Sequence, residues 1–264
     1  MAAGGLDALI GKAYPAALDT LGVRPTRDSV LAAIRAGHEA AQQVIDGIAA
    51  DVAASGRRIG CKSGCAFCCH QHIAASPAEL LSVFDAVSSW APERLADLRR
   101  RLDQDAPRIA ALGHGERRAA RIPCAMLDRK TGLCSAYAVR PVPCRSHLSL
   151  LRTACEREFR NRFAARPGDK PVPVLQEPKP AAGAVLVAVE LALDRRGLSV
   201  EPTELSLGLH AALADPALFD RWLSGESPFP VLNPPPESRR ARLGLTYTAM
   251  IHAERERLAG QGVI

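Results

Sequence analysis

Aromatic residues are scarce in this chain, at 4% of 264 residues. A core with so few rings must be filled by Ala, Leu and Val, which suits helices. No run of about 18 apolar residues occurs, so no membrane-spanning helix is expected. The apolar segment 181–193 is too short, and Glu190 interrupts it. The N-terminus lacks a basic start leading into an apolar stretch of signal-peptide length, which points to a cytoplasmic protein. Neither Gly-x-Gly-x-x-Gly nor a phosphate loop is present, which counts against nicotinamide- and ATP-dependent enzymes. Charge of one sign is only modestly in excess, at +6. The surplus is mostly Arg scattered among Ala, as expected of a solvated surface. A nucleic-acid role would draw on Arg94, Arg99, Arg100, Arg101, Arg108, Arg117, Arg118 and Arg121. Few aromatics are available to stack bases, so nucleic acid is not favoured as a partner.

Apolar residues make up 47% of the chain, enough for a real core. Residues 1–24 read as short helical pieces broken by Gly and Pro15. Thr26 is a suitable N-cap for a helix with Val30, Leu31, Ile34, Ala41, Val44, Ile45, Ile48 and Val52 on one stripe. That helix ends near Ser55-Gly56. Ser76-Pro77-Ala78-Glu79 is a capping box with Pro at the first helical position. Another helix starts at Pro92 and is kinked or ended by Pro107. The segment Arg140–Arg145 is expected to be non-helical because of Pro141 and Pro143. A helix is expected from Ser146, with Leu148, Leu151, Cys155 and Phe159 on one face. The segment 167–183 holds five prolines and reads as a linker or wrapping loop. Helices are expected over 184–195, 204–213, 216–223 and 239–258, with a proline-rich extended stretch at 228–236.

Cysteine is sparse except in two sets. Cys61, Cys65, Cys68 and Cys69 fall within nine residues, and Cys124, Cys134, Cys144 and Cys155 form a looser second set. A cytoplasmic chain keeps its thiols reduced, which argues against a disulfide framework. Thiolates are soft ligands suited to zinc, iron–sulfur clusters and Cu(I). The spacing Cys61-x3-Cys65-x2-Cys68 lets one turn aim three sulfurs at one point, and Gly64 permits that turn. Side chains of adjacent Cys68 and Cys69 diverge, which favours two centres, or a cluster with a further ligand, over one tetrahedral zinc. Cys124 and Cys134 are expected to meet through a hairpin-like loop at Arg129-Lys130-Thr131-Gly132. His70, His72 and His147 are alternative ligands, although hydrogen-bonding or surface roles fit them better. Arg140 and Arg145 flank Cys144 and are candidate cofactor-binding residues that offset the thiolate charge or donate to sulfur. Arg152 is placed similarly beside Cys155.

These residues together resemble the YkgJ-type cysteine-cluster family, described as zinc- or iron-chelating proteins. The resemblance spans Gly60 to Cys155. It rests on Cys61/Cys65/Cys68/Cys69, Pro123-Cys124-Ala125-Met126-Leu127, Gly132-Leu133-Cys134-Ser135-Ala136-Tyr137, Arg140-Pro141-Val142-Pro143-Cys144-Arg145, and Cys155. All eight cysteine positions of the pattern are filled, with three residues rather than two between the first pair. The resemblance implies metal binding and leaves the reaction open. Names implying an iron–sulfur oxidoreductase attach to the family, and a flagellin lysine-N-methylase is similar in its cysteine region.

The expected fold is mainly α, with an irregular cysteine-rich metal-binding core held by surrounding helices. Its expected parts are an N-terminal helical region (1–56), a cysteine-cluster domain (57–165), a proline-rich linker (166–183) and a C-terminal helical region (184–264). The expected function is metal binding, with Cys61, Cys65, Cys68, Cys69, Cys124, Cys134, Cys144 and Cys155 chelating an iron–sulfur cluster, zinc or both. The alternative is an iron–sulfur oxidoreductase or protein methylase-like enzyme. A radical enzyme of the S-adenosylmethionine type would need an α/β barrel, and the alternating strands are missing.

Overall fold

Helix α1 (Ala3–Leu21) opens a mainly helical chain in the computed structural model, which describes residues 3–164, 168–231 and 246–264. Pro15 lies inside this helix, so the expected break there does not occur. Pro15 is exposed, while Ile10, Tyr14, Ala17 and Leu21 are buried. Packing of that buried stripe outweighs the roughly 3 kcal/mol cost of an interior proline. Helix α2 (Arg27–Ala54) starts at a capping box in which the Thr26 hydroxyl accepts from the Ser29 N–H. Ser76 and Glu79 form the corresponding box for α3 (Pro77–Ser88), with Pro77 in the first turn. Helix α3 is buried over nearly its whole length, from Pro77 to Phe84 and again at Val87.

Helix α4 (Pro92–Ala110) continues through Pro107, which is exposed, whereas Leu98, Leu102, Ala106 and Ile109 are buried. Helix α5 (His114–Ala120) follows. Val142–Arg145 forms a single helical turn, α6, contrary to expectation. Pro141 is its N-cap and Pro143 falls in its first turn, where backbone N–H groups have no intrahelical acceptor, so proline removes nothing. The next helix, α7, spans Arg152–Arg160 and does not begin at Ser146. Residues before it are tied to the proline-rich segment, with the Leu150 N–H donating to Pro173 O (3.0 Å) and Leu175 N–H to Leu148 O (2.8 Å).

Helix α8 (Pro178–Arg195) begins six residues before the expected start and carries eleven buried residues, including Glu190. It is the central helix, packed on α1, α2 and α6. Each fully buried Leu or Val on it contributes about 1.5–3 kcal/mol. Strands β1 (Ala74–Ala75) and β2 (Thr203–Glu204) pair antiparallel in the registers Ala74–Glu204 and Ala75–Thr203. Helices α9 (Leu205–Ala214), α10 (Leu218–Leu223) and α11 (Tyr247–Gly260) complete the shell. The expected extended stretch from 232 and the start of the last helix at 239–245 lie outside the described residues, as does Pro167.

One core runs from Ile10 to Leu258 and takes in Cys124, Ala125 and Met126 from the cysteine-bearing segment. Arg117 on α5 pairs with Glu204 of β2, both side chains fully buried. The cysteine-bearing segment is therefore joined to the helices on both sides of it by apolar and ionic contacts. Among the described residues, no helix is long and apolar enough to cross a membrane.

Candidate metal centre

All eight cysteines are free. They sit on the loop before residue 66, the 3-10 turn Phe67–His70, the segment from 124 to 134, α6 and α7. The first loop turns at Lys62–Cys65, where the Cys65 N–H donates to Lys62 O (3.0 Å) and Gly64 has φ +77°. Gly132, at φ +72°, closes the second loop. A Cβ on Gly132 would lie 2.8 Å from Gly64 O, so the two turns meet backbone to backbone. The expected hairpin is present: Asp128 N–H donates to Leu133 O (2.9 Å), Ser135 N–H donates to Met126 O (2.8 Å), and Leu127 bridges Cys134. The Cys124 N–H donates to Cys69 O at 2.7 Å, which joins this hairpin to the 3-10 turn. The Ser149 N–H donates to Cys61 Sγ at 3.3 Å, and Ser149 also hydrogen-bonds Cys155.

The thiols influence one another in two neighbourhoods. Cys61 feels the charges of Cys68, Cys65 and Cys155. Cys69 feels those of Cys68, Cys124 and Cys144, and Cys144 feels Cys124, Cys68 and Cys134. The neighbourhoods overlap: Cys61, Cys65 and Cys155 lie on one side, Cys69, Cys124, Cys134 and Cys144 on the other, and Cys68 acts on members of both. Cys69 S–H donates to the Cys68 sulfur, which lowers the Cys68 thiol to about 7 and raises Cys69. Burial raises Cys124 to about 12, and Cys144 rises well above its ordinary value for the same reason, reinforced by the neighbouring thiols. Burial also raises Cys61, Cys134 and Cys155. Among the described residues no three His, Cys, Asp or Glu side chains are close enough to hold a metal ion as they stand. Any four-sulfur site therefore requires the thiols to draw closer together than they stand. The donor set fits a soft cation, since the eight groups are sulfur.

Arg140 lies over the Tyr137 ring at 4.0 Å, and its charge favours the thiolates of Cys68 and Cys134. Arg145 instead turns to backbone, donating to Arg140 O (2.7 Å) and to Ala138 O, and reaches Gln42 Oε1 (3.4 Å). Arg152 lies 5.3 Å from the Phe67 ring. His70 is buried against Phe159, at 4.8 Å between centroids, and burial lowers its pKa. Burial takes His147 down to about 4. The arginines considered for nucleic acid are largely engaged within the chain. Arg117 is buried, Arg100 and Arg101 hold Asp97, Arg108 holds Asp105, Arg118 holds Glu158, and Arg94 covers Trp90.

Two residues escape a reading of the sequence. Glu79 caps α3, yet its Oε1 also accepts from the Val142 N–H (2.7 Å) and lies 3.4 Å from His38 Nε2. His38 is buried in the middle of α2. Its signal is a gap: the apolar stripe of α2 passes from Ile34 to Ala41 with Gly37-His38 where the buried step should fall. His38 borders a cleft of about 460 Å³ between α2, α3 and the Tyr137–Val139 turn, with Arg145 in its wall.

No curated protein and no solved structure matches the chain. Residues 60–164, which carry every cysteine, match the CxxCxxCC family model, described as "Putative zinc- or iron-chelating domain".

Proposed function

We propose that the chain chelates metal through its eight thiols, arranged as two four-sulfur sites that adjoin at Cys68 and Cys69. The observation that supports this reading is that eight free cysteines from separate segments lie near enough to influence one another, with Cys68 common to both neighbourhoods. Four thiolates complete either a structural zinc or an iron–sulfur cluster. The zinc- or iron-chelating description of residues 60–164 supports the same reading. Arg140, whose charge reaches a thiol of each set, offsets part of the negative charge that four thiolates leave on a divalent cation. A bound zinc would supply a structural crosslink or a Lewis acid, and a cluster would supply electron transfer.

The test is metal analysis and visible absorption of protein purified without oxygen, alongside Cys61→Ser and Cys144→Ser. A brown protein whose absorption bleaches on oxidation indicates iron–sulfur, and a colourless protein holding zinc indicates the simpler site. Each variant should lose one centre and keep the other. Loss of both centres in both variants overturns the division into two sites. Absence of zinc and iron from the anaerobic protein overturns chelation itself.

A second reading, an enzyme of the oxidoreductase or methylase-like kind, draws support from the cleft. That cavity shares Arg145 with the cysteine segment, and Glu79 lies beneath its His38.

A further inference from the structure

Glu79 serves two elements of the fold. Its side chain is fully buried. Oε2 accepts from the Ser76 N–H at 3.3 Å, the return bond of the α3 capping box. Oε1 accepts from the Val142 N–H at 2.7 Å, 63 residues further along the chain. Val142 opens α6, the turn that carries Cys144. His38 Nε2, also buried, stands 3.4 Å from the same oxygen. At the other end of α6, burial disfavours the Arg145 cation and the charge of Glu79 favours it. One carboxylate thus acts on both ends of a four-residue turn.

A capping box closes with either Glu or Gln, so capping alone does not call for the second oxygen. A carboxylate accepts on both oxygens, whereas an amide has one acceptor and presents donors on its nitrogen. Only a carboxylate meets two N–H donors at once. A buried N–H without an acceptor is costly, so the Val142 bond fixes where α6 starts. Cys144 is the third residue of that turn, and a shift of the turn moves its sulfur relative to Cys124 and Cys134. Electrostatics pulls the other way. Burial raises the Cys144 thiol, the neighbouring thiols raise it further, and the charge of Glu79 adds to them. The charge of Glu79 therefore weakens metal binding at Cys144 and its placement of α6 strengthens it. The sign of the effect of a Glu79 substitution tells which dominates.

We propose that Glu79 is a positioning residue for Cys144, tying the turn that carries this thiol to the first turn of α3. The inference rests on chelation by the thiols and adds to the metal centre a residue that supplies no sulfur. The tie is indirect, since Glu79 holds the backbone of Val142 and not the metal. Outer residues of this kind typically set metal affinity by a factor of about 10–100. The link runs both ways: whatever fixes Cys144 also fixes the Val142 amide.

The full-length protein would be stripped of metal and reloaded with cobalt(II), whose bonds to thiolates absorb in the near ultraviolet. Glu79→Gln should bind cobalt about tenfold or more weakly than the parent, with less thiolate absorption per bound ion. Ser76→Ala breaks the same capping box but leaves the Val142 bond. It should lose stability while keeping the parent's affinity and spectrum. Equal or tighter cobalt binding by Glu79→Gln would show that placement of α6 does not govern the site, and the proposal is then wrong. It is also wrong if Ser76→Ala weakens binding as much, since the effect is then a general loosening of α3. The parent alone decides the matter should Glu79→Gln not fold. Cobalt loading should slow hydrogen exchange of the Val142 amide about tenfold, and no slowing overturns the proposal. A parent that takes up no cobalt defeats chelation and this inference with it, whereas a parent and a Glu79→Gln variant that bind alike defeat this inference alone.

Discussion

The two sets of thiols sit in different surroundings. Cys124 belongs to the main core, with Met126 and Ala125, and Cys69 and Cys134 pack against that core. Cys144 is in the α6 turn, directly followed by buried Arg145 and Ser146. Cys61, Cys65 and Cys155 lie outside the core cluster and are held by turns, by Ser149 and by the exposed Lys62–Gly64 loop. The inner cysteines are thus placed mainly by packing, although no three of them are close enough to hold a cation as they stand. The outer set depends on polar loops, whose backbone bonds each contribute only about 1 kcal/mol net. A metal bound at the outer set must therefore hold its own ligands together, while one bound at the inner set adds to an existing scaffold.

Metal removal is the strongest way to break this comparison. A cation present at about 1,000 times its Kd stabilises the fold by about 4 kcal/mol per site. Stripping two sites with a thiol-compatible chelator should lower Tm by about 16 °C or more in a chain of this size. Hydrogen exchange should show protection lost first in residues 60–66 and 148–156, with 124–126 retaining theirs. Equal loss in both stretches would erase the distinction between outer and inner sets.

Arg117 tests the scaffold of the inner set without touching a thiol. It and Glu204 are fully buried, and both act on Cys124. Glu204 also caps α9, accepting from Ser206 N–H (2.8 Å) and Leu207 N–H (3.1 Å). Arg117→Ala leaves a buried carboxylate unpaired, at a cost of about 3–5 kcal/mol. Urea unfolding should show that loss, and a double variant with Glu204→Gln should recover part of it. No recovery would mean that packing of the Arg117 side chain, not its charge, holds the inner set.

Acid sharpens the contrast differently. Burial keeps Cys61, Cys124, Cys134, Cys144 and Cys155 protonated near neutral pH when no cation is bound, because their pKa values are raised. Binding a cation must displace those protons, so affinity rises with pH. Between pH 6 and pH 8, zinc affinity should rise about tenfold per pH unit for every proton released, read by competition with a coloured chelator. Cys68, already lowered to about 7, should contribute least above that pH. Affinity that does not change with pH would show that the thiols are not the ligands.

Much of this arrangement is legible in the chain itself. The N-cap at Thr26 and the capping box at Ser76 are local signals, and local hydrogen-bonding geometry sets both. The meeting of Cys124 with Cys134 is local for the same reason, since ten residues and one turn separate them. Prolines mislead where packing decides the outcome: Pro15 and Pro107 are exposed positions of long helices whose buried stripes hold them in place. Pro141 and Pro143 open a helical turn instead of preventing one. The cleft is not legible, because it joins α2, α3 and the turn before α6, segments whose proximity is set by the core. The gap at His38 in the α2 stripe is its one local trace.

The smallest effect should come from Gly132, and it isolates the outer loop. At φ +72° an L side chain costs about 1–2 kcal/mol. A Cβ there would also press to 2.8 Å on Gly64 O, backbone that cannot swing away as a side chain would. Gly132→Ala should therefore push the Lys62–Cys65 turn outward and cost about 1–2 kcal/mol in urea unfolding. Its sharper consequence is selective. The first set, which contains Cys65, should lose metal affinity, while the second keeps its core packing and its cation. Two-step metal release, with only the weaker step shifted in Gly132→Ala, would confirm that one turn-to-turn contact tunes one site. A shift of both steps would show that the hairpin from Cys124 to Cys134 transmits the strain, and that the two neighbourhoods act as one.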